Sequence, residues 1–67
     1  MIEVILNGEP VEVAEGTTLL ALLERLGEPH QVALVEVNRK LVHKSELGRV
    51  VLAPLDAVEV ILPAFGG

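Results

Sequence analysis

Side chains that commonly carry out catalysis are scarce in this sequence of 67 residues. Cysteine does not occur, which excludes disulfides, thiolate metal sites and cysteine redox chemistry. His30 and His43 have no partner at metal-ligand spacing, so both are predicted to be solvated loop residues. Ser45 lies in no Gly-x-Ser-x-Gly elbow and is predicted to cap a turn together with Glu46. The ten carboxylates are predicted to form a solvated face, and the chain is predicted not to be an enzyme by itself.

The C-terminus is the remaining candidate for chemistry. Pro63 cannot donate a hydrogen bond to a sheet, and the last two residues, Gly66 and Gly67, carry no side chains. Five residues reach about 17 Å when extended, and glycine lets the backbone of another protein close tightly around the chain. The sequence therefore predicts a folded domain over residues 1–62 and a flexible tail over residues 63–67. The carboxylate of Gly67 could then enter a foreign active site, although an inert frayed end is the alternative.

Composition and charge exclude several classes of partner. Ten acidic residues against five Lys and Arg give a formal net charge of −5 and a pI near 4.8. This balance argues against binding to nucleic acid and against docking on an anionic membrane. No apolar run approaches the roughly 20 residues that span a bilayer, and no signal peptide is recognised. A cytoplasmic protein with one small domain is expected.

Apolar residues at every second position predict strands over residues 2–6 and 9–13. The Asn7-Gly8 pair between them predicts a type I′ hairpin turn, and Pro10 predicts that the second strand lies at an edge or pairs only after it. Further strands are predicted over residues 32–37, 41–42 and 58–62. With one helix, the order β-β-α-β-β-β indicates a two-layer α+β domain.

A leucine stripe predicts the helix. Its members recur at the spacing of one helix face, and Thr17 or Thr18 is expected to cap the first turn. Gly27 and Pro29 are expected to end the helix after about ten residues. The stripe consists of Leu19, Leu22, Leu23 and Leu26.

Strand parity assigns side chains to two faces of the sheet. The face that the helix covers is predicted to carry Val4, Leu6, Val11, Val13, Ala33, Val35, Val37, Val58, Val60 and Leu62. On the outer face, three large aliphatic residues stand among glutamates: Ile5, Leu34 and Ile61. Scattered exposed aliphatics are ordinary, whereas a contiguous patch with an acidic rim would be a docking surface. Parity does not give the strand order, so it leaves this choice open.

Six segments along the chain, taken in their order and spacing, form a recognisable pattern. They are Asn7-Gly8-Glu9, Glu15-Gly16-Thr17-Thr18-Leu19, Leu22-Leu23, Val35-Glu36-Val37-Asn38, Val42-His43-Lys44-Ser45-Glu46 and Phe65-Gly66-Gly67. Together they resemble the β-grasp, ubiquitin-like sulfur carriers, and among them the ThiS family of thiamine biosynthesis. The resemblance implies a mixed sheet of four to five strands packed on one helix. One departure is Leu55-Asp56, because many members have Gly-Asp before the last strand.

The resemblance also implies a carrier mechanism. An E1-like adenylating enzyme would use ATP and magnesium to adenylate the carboxylate of Gly67, and the chain itself would need no cofactor. A sulfur donor such as a cysteine desulfurase would then leave a thiocarboxylate, which would deliver sulfur to thiazole synthase. Phe65 and Gly66 would be recognised as the tail enters the active site.

The strand order of the family implies where that enzyme docks. Strands one and five would be neighbours, with strand three beside five, which would bring Ile5, Leu34 and Ile61 together. We expect this patch to contact the adenylating enzyme.

The sequence is also compatible with other acceptors of the sulfur or of the Gly67 carboxyl group. A thiocarboxylate could serve tRNA thiolation or molybdopterin synthesis, or Gly67 could be joined to lysines as a protein modifier. A β-grasp interaction module or regulatory subunit with an inert glycine tail is the alternative from a different functional class.

Overall fold

The computed structural model describes residues 1–27 and 34–61, in which one α-helix packs on a five-stranded mixed sheet. The predicted tail over 63–67, the domain boundary before it and the ends of two predicted strands lie outside these residues. The elements are β1 (Ile2–Leu6), β2 (Glu9–Val13), α1 (Leu19–Arg25), β3 (Leu34–Val37), β4 (Lys40–Val42), a 3₁₀ helix (Lys44–Arg49) and β5 (Ala57–Ile61).

The strands lie in the order β2-β1-β5-β3-β4, so β5 is the central strand. It runs parallel to β1 and antiparallel to β3, while β1–β2 and β3–β4 are antiparallel hairpins. The predicted β-grasp order of strands one, five and three is therefore confirmed. Pro10 lies on an edge strand, as predicted, where its missing N–H is not needed by a neighbour.

Both hairpins turn through residues with positive φ. Asn7 and Gly8 have φ of 49° and 84°, which confirms the predicted turn between β1 and β2. Asn38 and Arg39 do the same between β3 and β4, with φ of 53° and 69°. Asparagine tolerates this region better than most residues because its short polar side chain can bond locally.

The helix α1 is shorter than predicted. The Oγ1 of Thr18 accepts a hydrogen bond of 3.1 Å from the N–H of Ala21, which confirms Thr18 as the cap. Leu26 is the C-cap and is exposed, so the prediction that it belongs to the buried stripe is wrong. The chain leaves the helix at Gly27, which has φ of 85°, before a fourth leucine can reach the core. No helix among the described residues is long and apolar enough to cross a membrane.

Nine buried aliphatic side chains form the core between helix and sheet. The sheet contributes valines from the predicted inner face, and partly buried Leu6, Val11, Val37 and Val60 pack around them. The predicted inner face is therefore confirmed wherever the structure describes it. Full burial of each such side chain stabilises the fold by roughly 1.5–3 kcal/mol. The nine are Val4, Val13, Leu19, Leu22, Leu23, Val35, Leu47, Leu52 and Val58.

A histidine caps the 3₁₀ helix that follows β4. The Nδ1 of His43 accepts a hydrogen bond from the backbone N–H of Ser45 at 3.2 Å and lies 2.8 Å from its Oγ. The prediction that Ser45 and Glu46 form the cap is therefore wrong. His43 takes this position because its ring nitrogen reaches the N–H two residues ahead.

Candidate functional site

Two exposed aliphatic side chains meet on the outer face of the sheet. Leu34 on β3 and Ile61 on β5 are directly opposite in the antiparallel register, with 46% and 41% of their surfaces exposed. Directly opposed side chains have Cβ atoms about 4.5–5.5 Å apart. Leu41, which is 64% exposed, stands opposite Glu36 and therefore diagonal to Leu34. We call Leu34, Leu41 and Ile61 the apolar cluster.

The apolar cluster borders a shallow depression at the edge of the sheet. Leu34 and Leu41 line a volume of about 300 Å³, together with His43 and Lys44. Sequence reasoning missed Leu41 because a strand of three residues is too short for its parity to be assigned. Its pairing with β3 is what turns it to the outer face.

Ile5 lies elsewhere on the same face. It is opposite Ala57 in the parallel register of β1 and β5, four residues before Ile61. Four strand residues span about 13 Å. Ile5 lines a second depression of about 290 Å³ with Ala57 and Arg39. The expectation that all three predicted aliphatics lie together is therefore wrong for Ile5, because the parallel register offsets β1 from the end of β5.

Glutamates stand in opposed pairs among these aliphatics. Glu36 on β3 is directly opposite Glu59 on β5, and Glu3 on β1 is opposite Glu12 on β2. Like charges directly opposite on a sheet destabilise it. The face thus keeps two unfavourable charge pairs, one of them between the apolar cluster and the depression at Ile5.

The central strand is fixed at both ends by asparagine side chains from the hairpin turns. The Oδ1 of Asn7 accepts a hydrogen bond of 2.8 Å from the N–H of Val60, and the Oδ1 of Asn38 accepts one of 3.0 Å from Ala57. The backbone N–H of Asn7 also donates to Val58 at 2.8 Å, which extends the pairing of β5 beyond the end of β1. These contacts hold β5 at Ala57 and at Val60, and residues 62–67 follow the described part of β5 in the sequence.

An aspartate ties the turn before β5 to the second hairpin. The Oδ1 of Asp56 accepts from the Nδ2 of Asn38 at 3.0 Å, and its Oδ2 accepts from the N–H of Ala53 at 2.8 Å. Within this turn Leu55 has φ of 67°, a conformation that favours glycine. The departure noted at Leu55-Asp56 therefore keeps the turn but places a side chain in a strained position.

The remaining predicted site residues, Phe65, Gly66 and Gly67, lie outside the described residues, as does His30. Their roles stay predictions. Within the described ranges, no group of three His, Asp or Glu side chains could hold a metal ion.

Comparison with known proteins decides the family. The model of the ThiS family matches residues 4–67, nearly the whole chain. The chain belongs to the ThiS family. Members of the ThiS family are small sulfur carriers of thiamine biosynthesis.

Solved ThiS structures share the whole fold. The crystal structure of a thiamine biosynthesis protein (ThiS) from Geobacter metallireducens matches with a TM-score of 0.81 and 27% identity, over 98% of this chain and all of that one. A solution structure of a thiamine biosynthesis protein from the same organism matches with a TM-score of 0.79 and 27% identity, over 98% of this chain and 88% of that one.

A longer relative also contains a ThiS-like segment. A thiazole synthase from Magnetococcus marinus is 42% identical over 62 residues, which make up 92% of this chain. The chain spans 19% of the length of that relative.

Proposed function

We propose that this ThiS-family chain carries sulfur as a thiocarboxylate on Gly67 and donates it for synthesis of the thiamine thiazole ring. The observation that carries the proposal is the family match, which extends to Gly67 and so includes the terminal glycine pair. The proposal requires that Gly67 is the end of the mature chain.

The chemistry takes place on the terminal carboxylate. A carboxylate is a poor electrophile, so an E1-like adenylating enzyme uses ATP with magnesium to form an acyl-adenylate and release pyrophosphate. A sulfide equivalent from a donor such as a cysteine desulfurase then attacks the carbonyl carbon, and AMP leaves. The product is a thiocarboxylate, in which one oxygen of Gly67 is replaced by sulfur.

The chain's own part is to present this group and to leave it undisturbed. The sequence contains no cysteine, so no thiol on the carrier competes for the activated carboxyl. Phe65 and Gly66 precede Gly67, and the absence of a side chain at both glycines suits a narrow channel. In the sequence the tail follows β5, the central strand, and Asn7 holds that strand at Val60.

The apolar cluster is the proposed docking surface for the adenylating enzyme. Leu34, Leu41 and Ile61 are exposed on the outer face. Ile61 directly precedes residues 62–67 in the sequence, so a partner that covers the apolar cluster would lie near the start of the tail. Burial of apolar area contributes roughly 25 cal/mol per Å². Leu41 thus joins Leu34 and Ile61 in this proposal, whereas Ile5 contributes only through the second depression.

Thiazole synthase is the proposed recipient of the sulfur. Support comes from the Magnetococcus marinus thiazole synthase, in which a segment similar to this chain is part of the same polypeptide. Joining two domains covalently raises their effective concentration for each other. Fusion of two domains in one polypeptide is expected where a carrier and its acceptor act in the same reaction sequence.

Intact-mass measurement tests the proposal. We expect incubation with the adenylating enzyme, Mg-ATP and a sulfur donor to raise the mass by the exchange of one oxygen for sulfur, and an alkylating reagent to trap the product. Omission of ATP should prevent the change. If the complete mixture yields no thiocarboxylate and no acyl-adenylate on Gly67, sulfur carriage is refuted.

Two further measurements separate this proposal from the alternatives. Carrier labelled with sulfur should transfer its label to the thiazole product rather than to tRNA, to molybdopterin or to lysines of other proteins. Deletion of Gly66 and Gly67 should abolish the transfer, whereas an interaction module with an inert tail would be unaffected by the deletion.

A further inference from the structure

On the outer face of the sheet, three rows of paired side chains cross β5. Leu34 opposite Ile61 forms an apolar row, and Glu36 opposite Glu59 forms an acidic row. The third row is Ile5 opposite Ala57, again without charge. Successive rows are two strand residues apart, or about 6.6 Å. The acidic row is therefore flanked on both sides by an uncharged row. Leu34 also lines the first depression, beside Lys44, and Ile5 lines the second, beside Glu59 and Arg39.

We propose that the outer face of the described strands receives a Lys or Arg side chain of a partner protein, flanked on both sides by apolar side chains of that partner. The cation would bind between Glu36 and Glu59, and the apolar side chains would occupy the depressions at Leu34 and at Ile5. The inference rests on the proposed function, since the adenylating enzyme is the partner named there. It adds the chemistry by which that enzyme recognises the carrier.

Charge complementarity supports a cation as the occupant. Two carboxylates opposed on neighbouring strands repel each other, and this repulsion opposes folding of the free carrier. A guanidinium or ammonium group between them relieves the repulsion and gains charge-assisted hydrogen bonds. The free-energy gain on binding is thus larger than for a single carboxylate, because part of it is the removal of an existing repulsion.

The spacing of the rows fits a helix of the partner. Residues four apart on a helix rise by about 6 Å, close to the distance between rows. A helix with apolar residues at positions i and i+8 and Lys or Arg at i+4 matches all three rows at once. It would lie along β5 and approach Ile61, after which residues 62–67 follow in the sequence.

Replacement of Glu59 by Lys tests the proposal because it should raise the stability of the fold and lower the affinity for the adenylating enzyme. E59K turns the repulsive pair with Glu36 into an attractive one, so we expect Tm to rise by roughly 2–4 °C. We expect the affinity for the adenylating enzyme to fall about tenfold or more, with a weaker dependence of the association rate on salt.

Glu12 supplies a matched control. E12K makes the same change in net charge and also replaces one member of an opposed glutamate pair on the outer face, but it lies outside the three rows. We expect E12K to raise Tm similarly and to change the affinity by no more than about twofold. Equal affinities of E59K and E12K, or a wild-type chain that does not bind the enzyme, would overturn the docking inference.

The mass measurement separates this inference from the proposed function. If wild type binds the enzyme but forms no thiocarboxylate, the proposed function fails while the binding comparison still decides the docking inference. If wild type forms the thiocarboxylate and E59K binds as E12K does, the docking inference alone fails.

Discussion

Asn7 and Val60 are joined by a hydrogen bond of 2.8 Å in which the side-chain oxygen of the turn residue accepts from the backbone of the central strand. The bond connects the first hairpin to Val60, the last but one described residue of β5. Val60 lies two residues before Leu62, so the bond holds the described strand close in sequence to the proposed carrier tail. The Asn7-Gly8 pair thus has two roles, since it forms the turn and its asparagine also holds the last part of the central strand that the structure describes.

Removal of the Asn7 side chain should weaken the end of β5 without disturbing the turn. Asn7→Gly retains a residue that readily adopts positive φ but loses the acceptor for Val60. We expect the free energy of unfolding to fall by about 1 kcal/mol, and amide exchange at Val60 to become faster. Urea denaturation and hydrogen exchange measure the two effects. Asn7→Asp, which keeps an acceptor oxygen, should protect Val60 as wild type does, and equal protection in the Gly variant would contradict the assignment.

The opposite end of β5 depends on coupling between Asn38 and Asp56. Their side chains bond to each other, and each also accepts from a backbone N–H near the start of β5. We expect Asp56→Ala to lower the free energy of unfolding by about 1–3 kcal/mol. Glycine is the appropriate replacement for Asn38 because φ there is 53°.

A double-mutant cycle isolates this coupling. Asn38→Gly and Asp56→Ala, separately and together, should give an interaction energy of about 0.5 kcal/mol or more in denaturant unfolding. Additive effects would show that the two side chains act independently.

Side-chain parity predicted the faces of the sheet, and chain-local chemistry predicted the turns. Val4 and Val35 are buried while Ile5 and Leu34 face outward, as alternation requires. Asn7-Gly8 and Thr18 could also be assigned from sequence because a type I′ turn and a helix cap depend on residues within a few positions of each other.

Register between distant strands could not be predicted in the same way. The pairing of Ile5 with Ala57 rather than with Ile61 is set by hydrogen bonds between segments some fifty residues apart, and alternation is unchanged by a shift of two residues. Leu41 was missed for a related reason, since only its partner Glu36 reveals which way it faces. The prediction for Leu26 was wrong because the helical spacing of the leucines continues to a residue at which the helix has already ended.

Leu55 is a position where a smaller residue should stabilise the protein. Its φ of 67° brings the Cβ close to the backbone, while 66% of its surface is exposed, so the side chain contributes little burial. Relief of this strain stabilises the folded state by about 1–2 kcal/mol. Part of this gain is lost because glycine has more conformational entropy in the unfolded chain. We expect Leu55→Gly to raise the free energy of unfolding by about 0.5–1 kcal/mol in urea denaturation.

Leu55→Ala is the control for the origin of that effect. Alanine removes the apolar side chain but keeps the Cβ, so the strain should remain and the stability should not increase. A gain in the Ala variant equal to that in the Gly variant would assign the effect to the exposed leucyl group instead of to the backbone.

Polar substitutions in the apolar cluster should separate docking from folding. Ile61→Asp and Leu41→Asp place a charge on residues that are 41% and 64% exposed, so we expect each variant to remain folded, with a loss below about 1 kcal/mol at Leu41. If the adenylating enzyme covers the apolar cluster, binding must remove water from the new aspartate in either variant. We therefore expect the affinity for the enzyme to fall roughly tenfold or more. Titration calorimetry measures the affinity, and circular dichroism checks the fold.

Leu55→Asp provides the comparison for these variants, because Leu55 is 66% exposed, much as Leu41 is, and lies in the turn before β5, outside the apolar cluster. It adds the same charge to the same carrier, so nonspecific repulsion should affect all three variants alike. We expect only the two cluster variants to lose affinity. If Leu55→Asp weakens binding as much as Ile61→Asp and Leu41→Asp do, the enzyme does not dock through the apolar cluster, and the effect reflects net charge.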